Sequence, residues 1–205
     1  MRNIQILNSK IQKMIIYKYR PINKHTLTLL MNSELFFAPV IHLNDPFDSK
    51  LDIDHVLINY FNSGKLSRTE FIDLLLEFEP YKRFMKRTCV LSLSANRDNI
   101  LMWSHYADHH KGICLGFDKE KISRGFVDIS DGVEIPDNVI YSTNVNDSID
   151  KLFTNSNNSI SLQLIPRIIH TVLNIKNPLW EYEEEIRFTY VNVEKIHRKF
   201  KKTHC

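Results

Sequence analysis

Three acidic residues and an arginine alternate along one short segment near the C-terminus, Leu179-Trp180-Glu181-Tyr182-Glu183-Glu184-Glu185-Ile186-Arg187-Phe188. Successive side chains of an extended strand point to opposite faces, so Glu181, Glu183, Glu185 and Arg187 share one face and Tyr182, Glu184, Ile186 and Phe188 the other. Like charges side by side on a sheet repel, and a chain shaped only for a stable sheet would rarely place three carboxylates there. Paired carboxylates are what acid–base work on a glycosidic or acyl bond requires. The same residues also fit a solvated helix, with Glu183 and Arg187 paired at i, i+4 and Glu184 facing Phe188. The β-branched and aromatic run Ile186, Phe188, Thr189, Tyr190, Val191 and Val193 favours the strand.

Three further groups of residues carry potential chemistry. Lys18 and Arg20 share one face of a first strand and Tyr17 and Tyr19 the other, offering paired cations to a phosphate and flat rings to a base. The segment Met102 to Gly112 is the densest polar and aromatic cluster, and on a helix His105 and His109 would lie one turn apart, as in a two-histidine metal half-site. Tyr106 stands where such a site would carry its general-base glutamate, and nothing in the sequence completes a third ligand, so no metal is expected. The turn Asn44-Asp45-Pro46-Phe47-Asp48 reads as a rigid loop able to line a pocket. The basic residues Lys195, Arg198, Lys199, Lys201 and Lys202 read as a solvated tail.

The elements that must position these residues alternate along the chain. A strand over Met14–Arg20 is stopped by Pro21, and a helix over 23–32 turns Leu27, Leu30 and Met31 inward. A second strand spans Leu35–Val40, and helices cover 56–61 and 68–78, separated by Asn62-Ser63-Gly64. Thr88–Ser94 is a buried strand, 99–110 a helix and Gly112–Asp118 a strand, with Val139–Tyr141 a further short one. Ser142 to Asn158 is Asn-, Asp- and Ser-rich and reads as a loop, followed by a helix over 159–175. The count favours an α+β fold with short, mostly mixed or antiparallel strands.

Of the 205 residues, 43% are hydrophobic, enough for one substantial core. Residues 1–13 read as an N-terminal extension, 14–193 as a single domain and 194–205 as the basic tail. A formal charge of +3 permits nucleic-acid contact without demanding it. Cys89, Cys114 and Cys205 are widely spaced and odd in number, which argues against a disulfide framework and for a reducing cytoplasm. Met1 to Met14 lacks the apolar core of a signal peptide, and no apolar run reaches the length of a membrane span. No membrane association is expected.

Taken in order, Tyr17-Lys18-Tyr19-Arg20, Asn44 to Asp48, Met102 through Gly112 with Gly116-Phe117-Asp118, and Trp180, Tyr182, Glu183, Glu185 and Arg187 resemble the ordered blocks of the bacterial domain-of-unknown-function family numbered 2971. That layout is in turn similar to a compact ADP-ribosyltransferase, whose members cleave NAD on a split, mixed and mainly antiparallel sheet with flanking helices. This likeness is one of pattern. It implies that Glu185 holds the ribose and stabilises its developing charge while Glu183 orients or deprotonates an acceptor. It also implies that Lys18 or Arg20 grips the pyrophosphate, that Tyr19 or Tyr106 stacks on a ring, and that Arg187 keeps Glu185 ionised. Ser92 and Ser94 fall where these enzymes place a serine-bearing strand, although Ser92-Leu93-Ser94 departs from their Ser-Thr-Ser run, and His105 is the other candidate for the nicotinamide site.

The activity so implied is that of an ADP-ribosyltransferase or NAD glycohydrolase, with NAD as co-substrate. A toxin or effector of bacterial conflict or phage defence would use it, with a macromolecular acceptor, protein or nucleic acid, and an antitoxin or defence-system partner. Two other classes remain open at this level: a nucleotide-binding or interaction module without turnover, and a metal-dependent hydrolase or nuclease using His105, His109 and Asp45 or Asp108.

Overall fold

The structure, a computed structural model, describes residues 13–45, 48, 53–127, 136–143, 145–154, 164–191 and 197–199. The expected N-terminal extension and Pro46, Phe47 and Cys205 thus lie outside the described residues, apart from Lys13. In chain order the elements are β1 (Ile15–Arg20), α1 (Lys24–Asn32), β2 (Glu34–Phe36), β3 (Ala38–Pro39), a 3-10 turn (Val40–His42), α2 (Ile53–Asn62), α3 (Arg68–Lys86), β4 (Thr88–Ser94), α4 (Ile100–Tyr106) and β5 (Ile113–Asp118). There follow α5 (Lys119–Val127), β6 (Asp137–Asn138), β7 (Ile140–Tyr141), α6 (Val145–Thr154), α7 (Leu164–Leu173), β8 (Ile175–Lys176), a 3-10 helix (Pro178–Glu183), β9 (Glu185–Val191) and β10 (His197–Lys199). The α+β class expected from sequence is the class observed.

The main sheet runs β5-β1-β4-β9-β6, with β3 also on β4, and every pairing in it is antiparallel. β4 and β9 stay in register from Thr88↔Val191 to Ser94↔Glu185. β1 is in register with β5 along its whole length but meets β4 at Tyr17↔Ser94 alone among the described residues. Beyond that pair the two strands part, and the side chains on either side of the parting are those the sequence marked for chemistry.

Alternation along β4 and β9 divides the core. Cys89, Leu91, Leu93, Ile186, Phe188 and Tyr190 point into one apolar cluster with Ile16, Phe37 and Phe126. On the opposite face Val90 joins the cluster formed by α2, α3, α6 and α7, and Ser92, Ser94, Glu185 and Arg187 continue that face as a polar one. The helical layer therefore covers the sheet at one end and leaves polar side chains facing one another at the other.

Several elements differ from the sequence reading. In α1 the inward residues are Thr26 and Leu29, while Leu27 is 51% and Met31 80% exposed. Arg20 Nε donates to Thr26 Oγ1 at 3.1 Å, which turns that face of the helix toward β1. The Asn- and Asp-rich stretch expected as a loop contains α6, because Ile149 and Leu152, three residues apart, pack onto the helical core. The second expected strand is broken into β2, which pairs with β10, and β3, which pairs with β4. Residues 197–199, read as part of a solvated tail, are the strand that pairs with β2. α3 runs on through Pro80 to Lys86. Cys89 and Cys114 are free thiols. No helix among the described residues is long and apolar enough to cross a membrane.

The helix expected to reach His110 stops at Tyr106. Asp108, His109 and His110 all have positive φ, a costly run that holds because the chain must double back to lay β5 beside β1. Gly112 closes this turn, its amide donating to Ala107 O at 2.7 Å. A Cβ there would lie 2.8 Å from the Ala107 backbone and inside contact distance of Arg20 O. The substitution Gly112→Ala is therefore expected to destabilise the protein by about 3 kcal/mol or more. Chemical denaturation of the variant against the parent measures this.

Candidate functional site

The acidic segment does not form one continuous strand. Asn177 Oδ1 accepts from Leu179 N at 3.0 Å, and Pro178 occupies the first turn, so the chain starts a 3-10 helix there. Glu184 ends it in the left-handed region at φ 44°, and β9 begins one residue later. Glu181 and Glu184 consequently face solvent, whereas Glu183 and Glu185 are buried. The pair the sequence singled out is brought together by a kink rather than by strand alternation.

Arg187 anchors the pair. Its side chain has no exposed surface, and its guanidinium makes a two-pronged contact with Asp48, 2.8 Å on each prong. Arg187 also donates from Nε to Glu185 Oε1 at 2.8 Å and from Nη2 to Glu185 Oε2 at 3.0 Å. A fifth bond, Nη1 to Leu173 O at 2.6 Å, caps the carboxyl end of α7, where the helix dipole favours a cation. Lys176 bridges from the other side, with Nζ 2.6 Å from Glu183 Oε2, 3.1 Å from Glu185 Oε2 and 3.9 Å from Asp48 Oδ2. That ammonium also sits 5.0 Å from the Trp180 ring centre. Tyr106 donates its hydroxyl to Glu183 Oε1 at 2.6 Å, and the Glu185 amide donates to Tyr141 Oη at 2.8 Å.

These contacts set the charges. Burial works to raise the Glu185 carboxyl, but Arg187 and Lys176 outweigh it and hold it down at about 2. Burial likewise opposes charge on Lys176, and Glu185 and Glu183 reverse it, raising the ammonium. Burial and the neighbouring Glu183 push the Tyr106 hydroxyl well up. Lys18 differs: burial and then Arg20 lower it to about 8 in spite of Glu185 and Glu183. Its Nζ donates to Ser92 O at 2.6 Å, across the parting of β1 and β4.

A cavity of about 190 Å³ opens there, lined among others by Tyr17, Lys18, Tyr19, Arg20, Asn44, Asp45, Asp48, Ser92, Ser94, Met102, Tyr106, Lys176, Trp180, Glu183 and Glu185. Sites for whole drug-sized ligands run to roughly 300–1,000 Å³. This one has room for a single ring or sugar, and the remainder of a larger ligand would lie outside it.

Eight of the ten candidate residues therefore converge on one cavity: Lys18, Tyr19, Arg20, Ser92, Ser94, Tyr106, Glu183 and Glu185. Within it, Tyr19 Oη is committed to Asn96 O at 2.8 Å, and the Ser94 hydroxyl to the same turn. Arg187 lies beneath the cavity and reaches it through Glu185. His105 is exposed and outside the lining, its ring 6.1 Å from that of Tyr182. The expected His105 and His109 helical pair is not formed, since His109 sits in the positive-φ turn, and no cluster of three or more metal-ligating residues occurs among the described residues. Lys176 was not foreseen. It lies in a two-residue strand with no local pattern around it, and only the fold puts it between two glutamates.

Residues 102–188 match the model of the family described as Protein of unknown function (DUF2971). The DUF2971 match is short of half the chain and runs from α4 into β9, so it takes in Tyr106, Lys176, Glu183, Glu185 and Arg187. The Lys18 strand and the Asp48 turn lie before it. No curated protein and no solved structure matches the chain.

The depressed Glu185 carboxyl has a definite consequence for pH. Its charge contributes stability that is present above the ordinary glutamate value of 4.5 and is lost as pH falls toward 2, an effect of roughly 3 kcal/mol. Acid titration of the unfolding free energy is expected to show this loss, and Glu185→Gln to flatten it. Arg187→Met leaves Asp48 and Glu185 buried with Lys176 but without their guanidinium and is expected to cost about 3–5 kcal/mol at neutral pH, measured by urea denaturation.

Proposed function

We propose that this cavity takes the ribose next to the nicotinamide of NAD, with the nicotinamide ring at its mouth, and that the protein breaks the nicotinamide glycosidic bond, passing ADP-ribose to a macromolecular acceptor. The observation that carries the reading is Glu185, a buried carboxylate kept ionised on the wall of a cavity whose facing strand supplies Lys18 and Arg20. An anion so firmly held cannot protonate a leaving group, which ordinary glycoside cleavage needs. Nicotinamide in NAD is already cationic and leaves neutral, so its departure needs no proton. What it needs is a fixed negative charge beside the ribose as the oxocarbenium-like state develops, and Glu185 supplies one without reorganisation.

The cavity size agrees with a single sugar or ring inside, leaving the pyrophosphate toward Arg20 and Lys18 at the strand. Tyr106, Tyr17 and Trp180 give the walls flat apolar surface. Glu183 suits positioning better than proton abstraction, because one oxygen accepts from Tyr106 and the other from Lys176. The likeness in pattern to ADP-ribosyltransferases supports the same reading, and with it the use of such an activity as an effector in bacterial conflict or phage defence.

Purified protein is expected to release nicotinamide from NAD, and Glu185→Gln to lower that rate by about 10²–10³-fold. The variant is assayed below its own melting temperature, with circular dichroism confirming that it is folded. NAD recovered intact after long incubation, yet bound tightly, would mark a non-catalytic nucleotide module instead.

A further inference from the structure

Lys18 stands apart from the two cations that hold the buried glutamates. Lys176 and Arg187 are tied to carboxylates, whereas the Lys18 amine is held by a neutral carbonyl, Ser92 O, while Glu183 and Glu185 are engaged by Lys176, Arg187 and Tyr106. It lines the cavity, it is partly buried, and a second cation, Arg20, follows two residues along the same strand. Burial next to another cation is the setting that turns a lysine from a charge into a nucleophile.

We infer that Lys18 Nζ forms an imine with the aldehyde carbon of an open-chain aldose that bears a phosphate. The Nζ lone pair adds to the carbonyl carbon and the C=O π pair moves to oxygen. The resulting carbinolamine loses water, both amine protons leaving with that oxygen, and a C=N bond remains. No oxidant or reductant is consumed. Arg20 offers the phosphate a planar cation, and Asn44 and Glu183 offer polar partners for the sugar hydroxyls. The groups acting on Lys18 are Arg20 from its own strand, Glu185 from β9, Glu183 from the 3-10 helix and Lys176 from β8, and their balance with burial leaves the amine neutral above pH about 8. ADP-ribose carries the same aldehyde, but the inference goes beyond the glycosidic reading and does not depend on it.

The test uses ribose 5-phosphate with cyanoborohydride on the wild-type chain, followed by peptide mapping. Lys18 is expected to be modified at least tenfold faster than the exposed Lys24 and Lys111, with a rate that rises with pH and levels off near 8. Plain ribose is expected to label it more slowly, and Arg20→Gln to erase that preference for the phosphate. Labelling of Lys18 at the same rate as Lys24 and Lys111, or none at all, would overturn the inference. Because NAD turnover is not measured, either outcome leaves the glycosidic reading to its own assay.

Discussion

A guanidinium with no exposed surface, Arg187, is the constraint around which the polar half of this molecule is arranged. Removing a cation from water costs several kcal/mol, and the cost is met only if its donors find acceptors of opposite charge. Asp48 from a turn 139 residues earlier in the chain, Glu185 from the same strand and the terminal carbonyl of α7 provide them. Each of these partners fixes a different piece of backbone. The turn after β3, the end of the helical layer and the start of β9 are thereby held to one point.

That arrangement explains how two carboxylates can be buried near each other. Lys176 is shared between Glu183 and Glu185, so the bridged oxygens lie within about 6 Å, and the repulsion between them is offset on both sides. The polar network is nearly saturated toward the protein interior and open toward the parting of β1 and β4. What remains for a ligand is a fixed negative wall, two cations on the facing strand and flat aromatic rings. Such preorganised charge is the usual source of stabilisation for a transition state that develops charge in a partly dry site.

Local sequence was informative where side-chain period and burial agree. β1, β4 and β5 were legible because their apolar alternation matches a sheet covered on one or both faces, and α2 because its apolar spacing is helical. The convergence of Lys18, Ser92, Glu183 and Glu185 was legible only as an order of blocks. Where the reading failed, a tertiary demand overrode composition. The Asn-rich segment holds α6 because Ile149 and Leu152 find a core, and the helix after Ile100 is cut short because Gly112 must pass close to β1. The acidic segment kinks at Glu184 because Asn177 and Pro178 start a helical turn that a strand pattern does not reveal.

The amino-acid sequence by itself determined the α+β class, the strands that carry Lys18 and Ser92, and the acidic residues worth attention, since these follow from periodicity and residue type within a few neighbours. Which glutamates are buried, that Asp48 and Lys176 belong with them, and that Arg187 supports the cavity from below were decided by tertiary structure alone. Burial and charge pairing depend on residues brought together from far along the chain, and no local pattern records that distance being closed.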